Sequence, residues 1–216
     1  MSGIYIHIPF CKQACHYCDF HFSTNLKKKD EMVLALTKEI EMRKSEFQDE
    51  IVETIYFGGG TPSILQIADL KFLIDAVYKN YKVVENPEIT VEANPDDLTE
   101  NRIIELSNNK VNRLSIGIQS FFEDDLQLMN RAHNVEEAKK CLEIATHYFD
   151  NISIDLIYGV PEMSNEKWLQ NIETALSFGV PHISSYALTV EPKTALHSFI
   201  QKGIIPQPDD EVAQEH

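Results

Sequence analysis

The sequence has little positive charge and few cysteines, and it contains no long apolar run. Nineteen Lys and Arg residues stand against 34 Asp and Glu, a formal net charge of −15 on 216 residues. Because phosphate neutralisation needs clustered cations, this balance argues against a nucleic-acid-binding surface. No apolar run approaches the ~20 residues that span a bilayer, and the first residues lack the basic and apolar sections of a signal peptide. We therefore expect a cytoplasmic protein without a membrane span.

The composition is that of a folded protein. Hydrophobic residues make up 43% of the chain, which suffices for a core and excludes disorder. At about 150 residues per domain, the length fits one large domain or two small ones. No Gly/Ser-rich linker interrupts the chain, so we expect one domain over residues 1–205. Residues 206–216 have a helix-start pattern, prolines followed by acidic residues, and are expected to begin a further, truncated region.

Short apolar segments alternate with longer segments of helical period along the chain. The predicted strands are residues 3–8, 54–57, 88–93, 113–118, 152–157 and 182–188. The predicted helices are residues 27–44, 64–81, 99–109, 135–147 and 165–177. Repeated βα units predict a parallel sheet with right-handed crossovers, which is either doubly wound or bent into a barrel.

Most of these strands separate a polar face from an apolar face. Because successive side chains of a strand point to opposite sides, Glu92 and Asp155 fall on the face opposite Val91 and Ile154. A closed barrel of eight strands fills its interior with branched aliphatic side chains, so a polar inner face favours an α/β fold of the open, partial (β/α)6 TIM-like barrel type whose hollow holds a polar ligand. The alternative is a sheet with one face in water, which is commoner among antiparallel folds.

Three of the four cysteines, Cys11, Cys15 and Cys18, lie within eight positions directly after the first strand. In a reducing compartment, such crowding indicates metal ligation. Zinc would need a fourth protein ligand for a closed site. The candidates for that ligand are His7, His16 and His21. An iron–sulfur cluster is normally held by four cysteines, so three of them leave one iron of a 4Fe–4S cube open to an outside ligand.

The spacing CxxxCxxC, with Tyr17 before the last cysteine, resembles the cluster motif of the radical S-adenosylmethionine (SAM) superfamily. The segment YIHIPF at residues 5–10 narrows the resemblance to the oxygen-independent coproporphyrinogen oxidases and the related haem chaperones. The resemblance implies a 4Fe–4S cluster held by Cys11, Cys15 and Cys18, with SAM at the open iron. Reductive cleavage of the SAM sulfonium in such a site gives a 5′-deoxyadenosyl radical.

Further residues at the strand ends fall on positions that bind SAM in this family. Gly59, Gly60 and Thr61 belong to a GGGTP segment. Its glycines let the backbone approach a ligand and are expected to leave amide and carbonyl groups free. By itself, a glycine triplet is more often a turn. The resemblance also implies contacts with SAM from Tyr5, Tyr17, Glu92, Gln119, Arg131, Asp155 and Ala187. Three of these, Glu92, Gln119 and Asp155, already belong to the polar strand face.

Position 20 separates two functions in this group. The oxidases have a further cysteine two positions after the third, whereas this chain has Phe20, which cannot replace a thiol. The resemblance therefore implies a haem chaperone that delivers haem to acceptor proteins. The alternative is an oxygen-independent coproporphyrinogen III oxidase, which forms protoporphyrinogen IX by radical decarboxylation. The implied partners are haem or a porphyrinogen, haem-acceptor proteins, and a reductant such as flavodoxin or ferredoxin.

The remaining histidines and core candidates carry weaker expectations. His7 points into the expected hollow, where it is a candidate to donate a proton or bind a propionate, since imidazole titrates near neutrality. A hydrogen-bonded strand histidine is the alternative. His133-Asn134 shows only the first two letters of the family's haem-associated HNxxY segment, so no haem ligand is nominated. Cys141 and Trp168 lie at helical spacing and are expected in the core.

Overall fold

The computed structural model describes residues 2–46 and 50–216. The strands are β1 (Ser2–Ile8), β2 (Val52–Gly59), β3 (Val83–Ala93), β4 (Arg113–Gln119), β5 (Ile152–Tyr158) and β6 (His182–Ala187). The helices are α1 (Lys29–Met42), α2 (Ile67–Asn80), α3 (Glu100–Ser107), α4 (Glu123–Leu128), α5 (Val135–Tyr148), α6 (Asn165–Ser177), α7 (Ala195–Gln201) and α8 (Asp210–Glu215).

The six strands form one parallel sheet in the order β1-β2-β3-β4-β5-β6. Sequential parallel neighbours joined by helices are the arrangement of a (β/α) barrel. In this order β1 and β6 form the two edges, so the barrel is open. The prediction of a partial (β/α)6 barrel is confirmed, and the doubly wound alternative is wrong because the strand order never reverses.

Alternation along the strands divides the core from the hollow. The apolar members of the central strands face the helices and are fully buried, as for Val91, Ile116 and Ile154. Their polar neighbours face the inside of the curved sheet, where Glu92 and Asp155 border a cavity. The polar strand face is therefore the lining of a hollow, and the alternative of a sheet with one face in water is wrong.

Two short helices and one strand extension were absent from the sequence prediction. Helices α4 and α7 have six and seven residues, too few to show an apolar period against their surroundings. Strand β3 begins at Val83, five residues before the predicted start at residue 88. Pro87 and the exposed residues before it are not typical of a strand, so the sequence does not predict this extension. The extension pairs with β2 through an irregular register at Val52.

The chain end forms α8, as the helix-start pattern predicts. This helix contacts the β5–α6 unit, because the indole Nε1 of Trp168 donates to the His216 carbonyl at 2.8 Å and the Gly159 amide donates to His216 Nδ1 at 3.2 Å. Trp168 and Cys141 are both buried, so their placement in the core is confirmed. The division of the chain at residue 206 stays a prediction.

Over the two described ranges, no helix has both the length and the apolar character needed to cross a membrane.

Candidate functional site

A cavity of about 1020 Å³ opens at the carboxyl ends of the strands. This is the end at which parallel α/β folds place their ligands. Every site residue nominated from the sequence, apart from the zinc candidate His16, borders this cavity. They are Tyr5, His7, Cys11, Cys15, Tyr17, Cys18, His21, Gly59, Gly60, Thr61, Glu92, Gln119, Arg131, Asp155 and Ala187. Residues from all six βα units thus meet around one volume, although their roles toward a ligand stay predictions.

The cysteine loop, residues 9–22, leaves the end of β1 and returns to it. Its base is closed by two backbone bonds, from Cys11 N to Ser23 O at 3.1 Å and from Ser23 N to Pro9 O at 2.9 Å. The thiols of Cys11, Cys15 and Cys18 are half-buried and free. Burial raises the pKa of Cys11 and that of Cys18, so both remain protonated thiols in the chain alone. Metal binding must release these protons, because thiolates are the ligands.

The three thiols border one cavity, and a cluster that each cysteine binds at a different iron would occupy it. Across residues 2–46 and 50–216, no three His, Cys, Asp or Glu side chains converge on one ion position. Two of the histidines proposed for zinc are engaged elsewhere: His16 Nδ1 lies 2.8 Å from the Leu128 carbonyl, and His7 lies between the Tyr5 hydroxyl and the His21 carbonyl. In a 4Fe–4S cube each cysteine binds a different iron, so three sulfurs need to surround a volume and not meet at a point.

Arg131 links the cysteine loop to the sheet. Its Nη1 lies 3.2 Å from Cys15 Sγ and 3.4 Å from the Tyr17 hydroxyl, while Nη2 donates to Asn94 Oδ1 at 2.7 Å and to the Gly117 carbonyl at 2.9 Å. Burial acts to lower the pKa of Arg131, but Tyr17 and Cys15 outweigh it and raise the pKa. The guanidinium is therefore a fixed positive charge beside the loop, suited to a carboxylate ligand. Burial also raises the pKa of Tyr17.

The glycine segment after β2 packs against the cysteine loop. The amides of Gly59, Gly60 and Thr61 donate to Glu92 Oε2, Ile8 O and Phe10 O at 3.0, 2.9 and 2.7 Å. The expectation that these amides are free is therefore wrong. The Gly60 and Thr61 amides bond the end of β1 and the residues after it, and the Gly59 amide bonds a side chain of β3. The Thr61 carbonyl is also engaged, since it accepts from the Ile64 amide at 3.2 Å. A Cβ on Gly60 would lie 2.6 Å from the Phe10 carbonyl oxygen, so glycine is required there for close packing.

Two carboxyl groups face the cavity, Glu92 from β3 and Asp155 from β5. Glu92 accepts hydrogen bonds from the Tyr56 hydroxyl at 2.8 Å and the Gly59 amide at 3.0 Å. Burial, with a further contribution from the charge of Glu92, raises the pKa of Asp155 to about 7. The site therefore combines an anchored carboxylate with a second carboxyl group whose protonated form burial favours. Both are acceptors for hydroxyl or ammonium groups of a ligand.

Gln119 departs from simple strand alternation. It has a left-handed backbone conformation with φ of 68°, and the register between β4 and β5 shifts between Gly117 and Gln119. Such a bulge redirects a side chain at a strand end. Gln119 is consequently buried and borders the cavity at the rim of β4.

Asn94 and Tyr56, which the sequence did not nominate, bond nominated residues of the site. Asn94 was on the polar strand face but was not nominated; its amide accepts from Arg131 and donates to the Thr61 hydroxyl at 3.2 Å. Tyr56 positions Glu92 from β2. The signal for Tyr56 was its alternation with Ile55 and Phe57, which places its side chain on the inner face.

Comparison with known proteins places this geometry in a family. The model of the Radical SAM superfamily matches residues 5–175. The haem chaperone HemW of Bacillus subtilis is 39% identical over 214 residues, covering 98% of this chain and 56% of its own. HemW of Escherichia coli is 37% identical over 211 residues, covering 96% of this chain and 55% of its own. The chain thus spans about half the length of the curated relatives it matches.

Among solved structures, coproporphyrinogen III oxidase (HemN) of Escherichia coli, described as a radical SAM enzyme, superimposes with a TM-score of 0.86. It is 27% identical, and the match covers 99% of this chain and 50% of that one. The comparisons confirm the predicted open barrel and the family resemblance. They also confirm the prediction of a 4Fe–4S cluster and SAM as cofactors.

Proposed function

The chain belongs to the radical SAM superfamily, and on that premise we propose that it acts in a haem chaperone that binds a 4Fe–4S cluster and SAM and delivers haem to acceptor proteins. The observation that carries the proposal is the similarity to HemW over nearly the whole chain, at 39% and 37% identity in two bacteria. Phe20 supports it, because this side chain is 70% exposed at the cavity and offers no thiol where the related oxidases are expected to have one.

The residues around the cavity divide the binding task. Cys11, Cys15 and Cys18 would hold three irons of the cluster and leave the fourth to the methionine portion of SAM. When bound, the reduced cluster supplies the electron that cleaves the SAM sulfonium. The acceptors for the polar groups of SAM would be Glu92, Gln119 and Asp155. Tyr5 and Tyr17 would supply aromatic surface, and Gly59 and Gly60 would supply backbone carbonyls. Thr61, Arg131 and Ala187 would make further contacts with SAM.

His7 is proposed as a group that donates a proton or binds a propionate at the cavity. Its Nδ1 lies 3.2 Å from the Tyr5 hydroxyl and its Nε2 lies 3.4 Å from the His21 carbonyl. Both contacts are long, and His7 borders the cavity. A ligand that takes one of these positions would replace a weak hydrogen bond and not a strong one.

A second candidate is oxygen-independent coproporphyrinogen III oxidase. The superposition on HemN of Escherichia coli, with a TM-score of 0.86, favours it. Both functions use the same barrel and the same cofactors, so the fold does not separate them. Analysis of the reaction product distinguishes the two functions.

The test uses protein expressed from the complete gene, then purified and reconstituted without air. We expect about four irons per chain, stoichiometric binding of added haem, and no protoporphyrinogen from coproporphyrinogen with SAM and a reductant. Formation of protoporphyrinogen without haem binding would establish the oxidase in place of the chaperone. Zinc in place of iron would refute both. A Cys15→Ala variant is the matched control and is expected to lose the intact cluster.

The haem-acceptor proteins, a reductant of the flavodoxin or ferredoxin type, and a cytoplasmic location are further parts of this proposal. They are tested together by anaerobic co-purification of haem-loaded protein from cell extract, followed by transfer of haem to each captured protein. Capture of proteins that take up no haem would contradict the assignment of acceptors.

A further inference from the structure

The cysteine loop is attached to the turn between α4 and α5 at several points. The His16 amide donates to the Met129 carbonyl at 3.0 Å, and His16 Nδ1 lies 2.8 Å from the Leu128 carbonyl. Arg131 reaches Cys15 from the same turn. The turn at residues 128–131 therefore contacts the loop at Cys15 and His16. All of these contacts are between protein atoms.

Asn130 occupies the centre of this turn. Its φ of 55° lies in the left-handed region, which asparagine tolerates better than most residues. The side-chain amide makes two hydrogen bonds to the loop. Its Nδ2 donates to the Ala14 carbonyl at 2.7 Å, and its Oδ1 accepts from Gln13 Nε2 at 3.0 Å. The Asn130 carbonyl accepts from the same Gln13 nitrogen at 2.9 Å.

These bonds hold the residues on both sides of Cys15. Gln13 and Ala14 are held by Asn130 before the cysteine, and His16 is held by the turn after it. A loop without regular structure loses conformational entropy when it is ordered around a metal cluster. A loop that is already held loses less of it at the moment of binding, which is the physical meaning of preorganisation.

We propose that Asn130 is a positioning residue for the iron–sulfur cluster: with Gln13 as its partner, it holds the cysteine loop in the conformation that receives the cluster. Asn130 acts on the loop through the side-chain amide of Gln13 and the backbone carbonyl of Ala14. The proposal rests on the cysteine loop holding a cluster and is independent of haem delivery.

The test separates the amide of Asn130 from its backbone conformation. Asn130→Gly keeps access to positive φ and removes both side-chain hydrogen bonds, and Asn130→Asp keeps the acceptor but loses the donor to Ala14. Glu162→Gly is the matched control, because Glu162 is an exposed residue with φ of 67° after β5. Gln13 lies at a half-buried position of the loop. Gln13→Glu removes the hydrogen bonds that its amide donates to Asn130, and it tests the same contact if a variant at residue 130 fails to fold.

Two measurements are made on each variant. In the cluster-free, reduced chain, amide hydrogen exchange over residues 12–18 is expected to be roughly tenfold faster in Asn130→Gly and Gln13→Glu than in the wild type, since one or two hydrogen bonds are lost. In the reconstituted chain, transfer of iron to a chelator is expected to accelerate by a similar factor. Asn130→Asp should lie between, and Glu162→Gly should match the wild type.

Wild-type rates in Asn130→Gly and Gln13→Glu, for both exchange and iron transfer, would overturn the proposal. Failure of the wild-type chain to take up iron would instead refute the cluster site on which the proposed function depends. The two failures are therefore distinguishable.

Discussion

The absence of a Cβ atom at Gly60 allows the glycine segment to pack closely against the cysteine loop. Gly60 lies against the backbone of Ile8 and Phe10, and its own amide bonds the Ile8 carbonyl. No side chain fits between these two backbones. The identity of one residue thus controls the position of the loop that carries Cys11.

Gly60→Ala is expected to destabilise the chain by about 1–3 kcal/mol, because the added methyl group collides with the Phe10 carbonyl and forces the backbones apart. It should also lower the iron content after anaerobic reconstitution. Gly203→Ala is the control; nothing lies within 4 Å of its Cβ, so its strain at φ of 68° affects stability alone. Equal iron content in the two variants would contradict the prediction. Denaturant unfolding and iron analysis give the two readouts.

The carboxyl group of Asp155 gives the cavity a pH dependence. Because its pKa is raised to about 7 in the folded chain and is near 4 when unfolded, folding takes up a proton between these values. Stability should therefore fall, relative to Asp155→Asn, by up to about 1.4 kcal/mol per unit as pH rises from 4 to 7, and the difference should level off above 7.

Denaturant unfolding of the wild type and Asp155→Asn at several pH values measures this difference. The subtraction cancels other groups, such as buried His133, whose pKa burial lowers to about 4. Glu136→Gln on the exposed face of α5 should show no such slope relative to the wild type. A slope of opposite sign for Asp155→Asn would show that the folded chain holds this carboxylate charged.

At the scale of elements, the cysteine loop is fastened to the turn after β3 by an ion pair. Lys12 contacts Asp97 and lies 3.0 Å from Asp96 Oδ2. The Asp97 side chain is only 3% exposed, and it also accepts from the Ser63 hydroxyl at 2.7 Å. The loop, the segment after β2 and the turn after β3 therefore meet at one buried carboxylate.

Lys12→Met is expected to destabilise the chain by about 1–2 kcal/mol, because a buried carboxylate loses its cation while the exposed half of the lysine limits the effect. Lys12→Arg should retain most of the stability. Thermal unfolding measures both, with Lys27→Met, at an exposed position, as the control. A Lys12→Met variant as stable as Lys12→Arg would show that the ion pair contributes nothing.

At the scale of the whole molecule, the barrel has an exposed edge at β6, and the last residues of the chain pack against β5 and α6. Strand β6 has largely exposed side chains, while α8 packs beside β5 and α6 through His216. Residues 206–216 were predicted to begin a separate region. Their contacts with Trp168 and Gly159 make them part of the barrel's packing as well.

Shortening the chain to residues 1–205 is expected to lower its melting temperature by a few degrees, since ~1 kcal/mol shifts Tm by about 2–4 °C at this size. Trp168 should gain solvent exposure, so its fluorescence should shift to longer wavelength. His216→Ala is the comparison, because it keeps the carbonyl that the indole bonds. Unchanged melting and fluorescence in the shortened chain would show that α8 is only loosely associated.

Local pattern by itself determined the βα units, the apolar strand faces and the cysteine loop, because these follow from side-chain period and from the spacing of three thiols. The motif letters also nominated the residues that border the cavity. Tertiary packing alone decided that the amides of Gly59 and Gly60 are occupied, that the Gln119 backbone turns left-handed, and which partners the side chains of Asn94, Tyr56 and Asn130 bond. These facts depend on which backbones lie side by side after folding, and partners more than 30 residues apart leave no trace in any short stretch of sequence.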